Sequence, residues 1–228
     1  MHTDSDTHHR LLRAYILLTA IYAIFATIVF KLAATYMLPF FWGILLIQAV
    51  VTVVALSILD PELLEERLKP KGKDLDPLCT PAICLLYPTA FVLAVLDGHR
   101  FHIADTVPVE ARLLGLVLTA CGWALFVWAM KCNFFFSAAI RLQPDRGQQV
   151  IDQGPYSKVR HPGYSGALLV FLGESLAMGS WLGVGVASLM LFVLLRRTLI
   201  EEKMLHTGLP GYGEYANRVK FRWIPGIW

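Results

Sequence analysis

The sequence predicts an all-α, polytopic integral membrane protein of about six transmembrane helices with both termini cytosolic. Three observations carry that reading. Of 228 residues, 56% are hydrophobic and only 16% charged, and the mean hydropathy of +0.56 lies well outside the range of ordinary soluble domains. Six apolar runs recur along the chain, at Ala14–Ala34, Leu38–Leu59, Thr80–Leu96, Leu113–Met130, Tyr164–Met178 and Trp181–Leu195. Each is near the roughly 17–25 residues that cross a bilayer as a helix, the last two being short. The cationic residues between the runs then concentrate on one side of the membrane.

Taken in order, the first run exceeds the roughly 7–15 apolar residues of a signal-peptide core, so it reads as a retained helix. A short turn holding Met37 and Pro39 joins it to the second as an antiparallel hairpin. The stretch "DPELLEERLKPKGKDLDP", residues 60–77, is a charged connector in which Pro61 opens a short helix and the lysines are placed to touch anionic lipid. The third and fourth helices are linked by residues 97–112, where His99 and His102 lack a third ligand of matching spacing. No metal site is expected. Cys79, Cys84, Cys121 and Cys132 form no CxxC pair and read as structural thiols.

The second half changes character. Residues 131–163 are rich in Gln, Arg, Gly and Pro and far longer than a helix–helix connection requires, as functional loops tend to be. The fifth and sixth helices form a tight hairpin across Gly179 and Ser180, with Gly166, Gly173, Gly183 and Gly185 expected to let their backbones approach. These boundaries divide the chain into an N-terminal four-helix membrane region, residues 1–130, and a C-terminal region of connector, hairpin and tail, residues 131–228.

Charge placement orients the bundle. With the N-terminus inside, Arg10, Arg13, Arg67, Lys69, Lys71, Lys73, Lys131, Arg141, Arg146, Lys158, Arg160, Arg196, Arg197, Lys203, Arg218, Lys220 and Arg222 all lie on the cytosolic side. Only Lys31, Arg100 and Arg112 lie outside. The net charge of +3 thus describes a sided protein and gives no reason to expect nucleic acid. An endoplasmic reticulum membrane and a bacterial inner membrane obey the same rule.

The hairpin brings two polar segments to one face: "RHPGY" at its start and "RRTLIEE" at its end. His161 precedes Pro162 as a cap-like residue beside unpaired helix-end N–H groups. Arg197 and Glu201 share a helix face, as do Thr198 and Glu202. Lys158 and Arg160 read as interface-orienting cations, and snorkelling is the simple alternative for Arg196 and Arg197. Paired carboxylates beside an apolar segment require partners. Carboxylate, imidazole, tyrosine rings and helix-end donors together suit a nucleotide-like zwitterion such as S-adenosylmethionine.

The blocks "GPYSKVRHPGYSG", "RRTLIEE" and "LPGYGEYANRVKFRWIPGIW", in that order, resemble the C-terminal signature of the isoprenylcysteine carboxyl methyltransferase family and its phospholipid methyltransferase relatives, over Arg141–Trp228. The resemblance implies that residues 131–228 are a catalytic cofactor-binding region, with a cytosolic cofactor pocket built by the connector and hairpin and a lipid-linked or apolar substrate entering from the bilayer. It implies that Gln148, Gln149, Val150, Ile151, Tyr156, His161, Pro162, Gly163 and Tyr164 line the S-adenosylmethionine pocket, closed by Glu201. Arg197 matches the arginine near the substrate carboxylate. Tyr212 and Tyr215 read as structural packing. A carboxylate acceptor needs no general base. A phospholipid amine or small thiol, the alternative acceptors, would need a proton acceptor, with Glu202 or His161 available. Outside this class stand a membrane scaffold or transporter subunit, and a reductase for which no GxGxxG fingerprint exists.

Overall fold

The computed structural model describes residues 2–228, with the side chains of Ile16 and of residues 19–228. Arg10 and Arg13 therefore lie outside the described side chains. Among the described residues the chain is all-helical: α1 (His2–Ala33), α2 (Pro39–Ile58), α3 (Pro61–Leu68), α4 (Cys79–Leu96), α5 (Val109–Cys132), α6 (Pro162–Ala177), α7 (Trp181–Ser188), α8 (Met190–Gly208) and α9 (Tyr212–Arg218). Six apolar helices form where the hydropathy pattern puts them. Among the described residues four are long and apolar enough to cross a membrane, Pro39–Ile58, Cys79–Phe101, Val109–Cys132 and Trp181–Gly208, the last joining α7 to α8, while Thr19–Ala33 is a shorter apolar stretch. At 16 residues α6 reaches about 24 Å, short of a hydrocarbon core of about 30 Å.

Aromatic edges hold the first helices together. The Phe25 and Phe91 rings meet edge-on at 4.9 Å and Phe41 meets Phe91 at 5.8 Å, around the fully buried Val29, Ile44 and Val95. Their outward faces leave Leu46, Val53, Leu85 and Val117 more than half exposed, as a helix facing lipid requires.

Among the described residues the most extensive helix–helix packing lies between α5 and α6. Gly115 and Gly122, seven apart on α5, meet Gly173 and Gly166, seven apart on α6. A Cβ on Gly166 would sit 2.6 Å from the Gly122 carbonyl oxygen, and one on Gly173 would sit 2.7 Å from that of Gly115. This corrects the expectation that the glycines serve the terminal hairpin. Gly166 and Gly173 face α5, Gly183 faces Ala90 and Ala94 of α4, and Gly185 has open space. The hairpin turn itself forms as expected. Gly179 takes a φ of +87°, and the Ser180 hydroxyl caps α7 by accepting from the Gly183 N–H.

The charged connector is also more than a solvated loop. Asp60 caps α3 through the Glu62 N–H, with Pro61 at the first turn. Beyond that cap, Glu66 is buried and accepts from Arg141 at 3.1 Å and from the Ser137 hydroxyl at 2.9 Å. The α3 helix thereby supports the long connector that follows α5. Arg196 does not snorkel: it pairs with the buried carboxylate of Asp76.

Candidate active site

A cavity of about 530 Å³ opens at the charged end of the bundle and runs inward between the apolar helices. Pockets for small organic molecules typically have volumes of about 300–1,000 Å³. Its polar end is built where α6 begins, α8 ends, and the connector and C-terminal tail fold over both.

Pro162 at the first turn fixes the start of α6 and leaves His161 as its cap residue in a non-helical conformation. The tail pins this corner. The Arg160 N–H donates to the Phe221 carbonyl at 3.0 Å and the His161 N–H to that of Arg222 at 2.8 Å. The Ser165 hydroxyl donates to the Trp223 carbonyl, and the Trp223 indole donates to Thr198.

Glu202 is the node of this corner. It accepts a bidentate pair from Arg160 at 2.8 and 2.6 Å, a third bond from His161 Nε2 at 2.8 Å and a fourth from the Tyr212 hydroxyl at 2.7 Å. Arg160 spends its remaining nitrogen on the carbonyls of Val219 and Lys220. With four bonds its acceptor capacity is filled, so Glu202 acts as a structural anchor and is not free to take a proton. Arg160, expected to orient the helix at an interface, is instead buried inside the fold because Glu202 and the tail carbonyls satisfy it completely.

One helical position earlier, Glu201 points elsewhere. Its Oε2 accepts from the Tyr164 hydroxyl at 2.6 Å, His161 Nδ1 stands 3.6 Å away, and the side chain keeps 27% exposure within the cavity wall. The Tyr164 hydroxyl accepts in turn from Arg197 Nε at 2.9 Å. Arg197 gives Nη2 to the Ala138 carbonyl, while Nη1 is buried without a hydrogen-bond partner, its nearest carboxylate being Asp74 at 4.0 Å. The expected Arg197–Glu201 face thus exists, bridged by Tyr164.

Burial opposes charging of the His161 ring, but the Glu201 and Glu202 carboxylates outweigh it and raise its pKa above the ordinary imidazole value. Burial also pushes the Tyr156 hydroxyl up, as do burial and the Glu202 charge for Tyr212, so both stay protonated.

The connector forms the facing wall. Gln143 organises it: its amide donates to the Phe135 carbonyl, its N–H donates to Gln148 Oε1, and its oxygen accepts from Arg146. Asn133 donates to the Tyr156 hydroxyl, and Tyr215 donates to the Tyr156 carbonyl. Phe136 packs directly on Gly163, where a Cβ would fall 2.5 Å from its ring. Arg67 lies against the Phe126 and Phe136 rings at 5.2 and 5.0 Å and also lines the cavity.

The structure therefore brings Gln148, Gln149, Val150, Ile151, Tyr156, His161, Gly163, Tyr164, Arg197 and Glu201 around one cavity, while Pro162 and Glu202 stand behind its wall. Tyr212 and Tyr215 are buried supports that also reach the lining. Sequence reasoning missed Arg67, Asn133 and Gln143. The long connector was expected to contribute, but nothing in its composition distinguishes Asn133 or Gln143 from their neighbours, and only the folded bundle brings Arg67 of α3 to the cavity.

Fold and site together define an all-helical membrane protein with a charged, partly apolar cavity at one end of its bundle. Residues 111–209 match the family model for phospholipid methyltransferases. The matched span is similar to the domain of the isoprenylcysteine carboxyl methyltransferase-like enzymes, and this likeness supports the class of membrane methyltransferases. A search of curated proteins finds no match. The matched span begins in α5, so it takes in the glycine seam as well as the connector and hairpin, and it ends at Leu209, before α9 and the tail.

Proposed function

We propose that the protein transfers the methyl group of S-adenosylmethionine to a carboxylate on an apolar or lipid-linked acceptor, most simply of the isoprenylcysteine type, with the polar end of the cavity on the cytosolic face. The observation that carries the carboxylate is the unpartnered, buried Arg197 Nη1 on the cavity wall. A buried guanidinium nitrogen without an acceptor is costly, and an incoming anionic oxygen relieves that cost. Arg67 adds a second positive charge to the same wall.

The residues present fit the cofactor. Glu201 has one oxygen engaged by Tyr164 and remains part-exposed, so it suits an ammonium or ribose hydroxyl. Tyr156 and the apolar side chains of Val150 and Ile151 supply surface for a purine, and Gln148 and Gln149 supply amides. When bound, S-adenosylmethionine supplies a methyl group already activated by its sulfonium. The protein then has to orient the acceptor oxygen and exclude water. Arg197 holds the carboxylate, Tyr164 ties Arg197 to Glu201 so that the two binding regions keep a fixed spacing, and Phe135 and Phe136 add apolar surface to the cavity lining. No general base is needed for a carboxylate acceptor.

The test is transfer of labelled methyl groups by purified protein to a farnesylcysteine analogue, phosphatidylethanolamine and a simple alkyl thiol. Labelling of the farnesylcysteine carboxylate, reduced at least about 100-fold by Arg197→Ala, is the expected result. Preferential labelling of the amine or thiol, indifferent to Arg197→Ala, contradicts the carboxylate assignment.

A further inference from the structure

The inner end of the cavity is not plain hydrocarbon. Glu174 lies ten residues beyond Tyr164 on α6, about 15 Å along the helix axis at 1.5 Å per residue, and is 1% exposed. It is the only charged side chain of that helix. Its Oε1 accepts from Gln48 Nε2 of α2 at 3.0 Å, and its Oε2 accepts from the Tyr87 hydroxyl of α4 at 2.6 Å. Three apolar helices thus converge on one buried carboxylate, and such a residue within a membrane protein marks function.

Glu174 fixes what the cavity presents. Because Gln48 donates its amide nitrogen to Glu174, its carbonyl oxygen is turned away, and this atom is buried without a donor. The Trp123 indole N–H is likewise buried without an acceptor; it lies near the Glu174 carboxyl but outside hydrogen-bond geometry. Gln48, Tyr87 and Trp123 line the main cavity, and Gln48 and Trp123 also line a smaller adjoining one of about 130 Å³. One buried acceptor and one buried donor therefore stand where the two spaces meet.

We propose that this inner site recognises a hydroxyl-type group at the far end of the acceptor's apolar chain, donating to Gln48 Oε1 and accepting from Trp123 Nε1. A hydroxyl satisfies both orphaned atoms at once, which a hydrocarbon tail cannot do. The substrate class is then an amphipathic chain polar at both ends: an anion at Arg197 and a hydroxyl at the Gln48–Trp123 pair. Tyr87 and Glu174 are positioning residues that set the Gln48 amide.

The inference rests on the reading of Arg197 as the anchor of the acceptor anion, and one binding experiment separates the two. Calorimetry on the purified, full-length protein compares 12-hydroxydodecanoate with dodecanoate, whose extended twelve-carbon chain is about the length of the 15 Å axial separation. The hydroxylated ligand is expected to bind about tenfold tighter, the worth of roughly one well-made hydrogen bond. Gln48→Leu and, independently, Trp123→Phe are expected to bring that ratio close to one, with cooperative thermal melts showing that both variants fold. Equal affinities in the wild type would assign the two atoms to buried water and overturn the proposal, while loss of both ligands in Arg197→Ala would still uphold the anion anchor. Binding of neither ligand by the wild type would overturn both readings.

Discussion

Glu201 and Glu202 are neighbours in sequence, but a helix of 3.6 residues per turn separates them by about 100° around its axis. That rotation assigns their roles: Glu201 joins the cavity wall, and Glu202 faces the corner formed by Arg160, His161 and Tyr212. Glu202→Gln should cost about 3–5 kcal/mol, because Arg160 and His161 are left buried without their full counter-charge; a large fall in Tm measures it. Glu201→Gln should lower Tm much less than Glu202→Gln, since an amide oxygen still accepts from Tyr164, and should chiefly weaken cofactor binding. His161 adds a pH dependence. Its pKa in the folded protein is raised above the ordinary 6.5 by the two carboxylates, against the effect of burial. Its stabilising contribution is therefore complete below 6.5 and is lost as pH rises through the elevated value. Tm should fall across that window in the wild type, and His161→Gln should flatten this part of the profile.

Among the elements, α5 and α6 are joined by what their residues lack. Gly115, Gly122, Gly166 and Gly173 let two backbones approach so closely that added methyl groups would meet carbonyl oxygens rather than flexible side chains. Gly166→Val should therefore destabilise by about 1–3 kcal/mol through overpacking, visible as a lower Tm and a cavity that no longer binds its ligand normally. The helices themselves were legible because apolar runs of this length have few alternatives, and the turn at Gly179 and Ser180 because glycine and a serine cap mark it. The partner of the glycine face was not legible. Spacing shows that a helix has a smooth side, while only the assembled bundle decides which neighbour uses it. The roles of Arg160 and Glu66 were hidden for a similar reason: a cation near an apolar segment looks the same whether it ends in headgroups or on a buried carboxylate. Glu174 and Gln48 did leave a signal, each being the single charged or amide side chain inside its apolar run.

At the scale of the molecule, the site is held together by sequence-distant layers. The connector supplies one wall, α6 and α8 another, and the tail straps both by bonding to residues 160 and 161. Deleting residues 219–228 should remove the carbonyl partners of Arg160 and the Trp223 bond to Thr198, and thereby lower both Tm and cofactor affinity even though no tail residue from 219 on lines the cavity. The residues around the polar end were largely legible because the three C-terminal blocks stand in a recognisable order. The inner end was less so, since Tyr22, Gln48, Tyr87 and Trp123 come from three N-terminal helices and the start of the matched span. The central claim, that this cavity holds S-adenosylmethionine beside an acceptor anchored by Arg197, is tested most directly by calorimetric titration of the purified protein with S-adenosylhomocysteine. Saturable one-site binding, strongly weakened by Glu201→Gln and unaffected by Gln48→Leu at the far end of the cavity, is the predicted result; no binding, or binding indifferent to Glu201→Gln and His161→Ala, would contradict it.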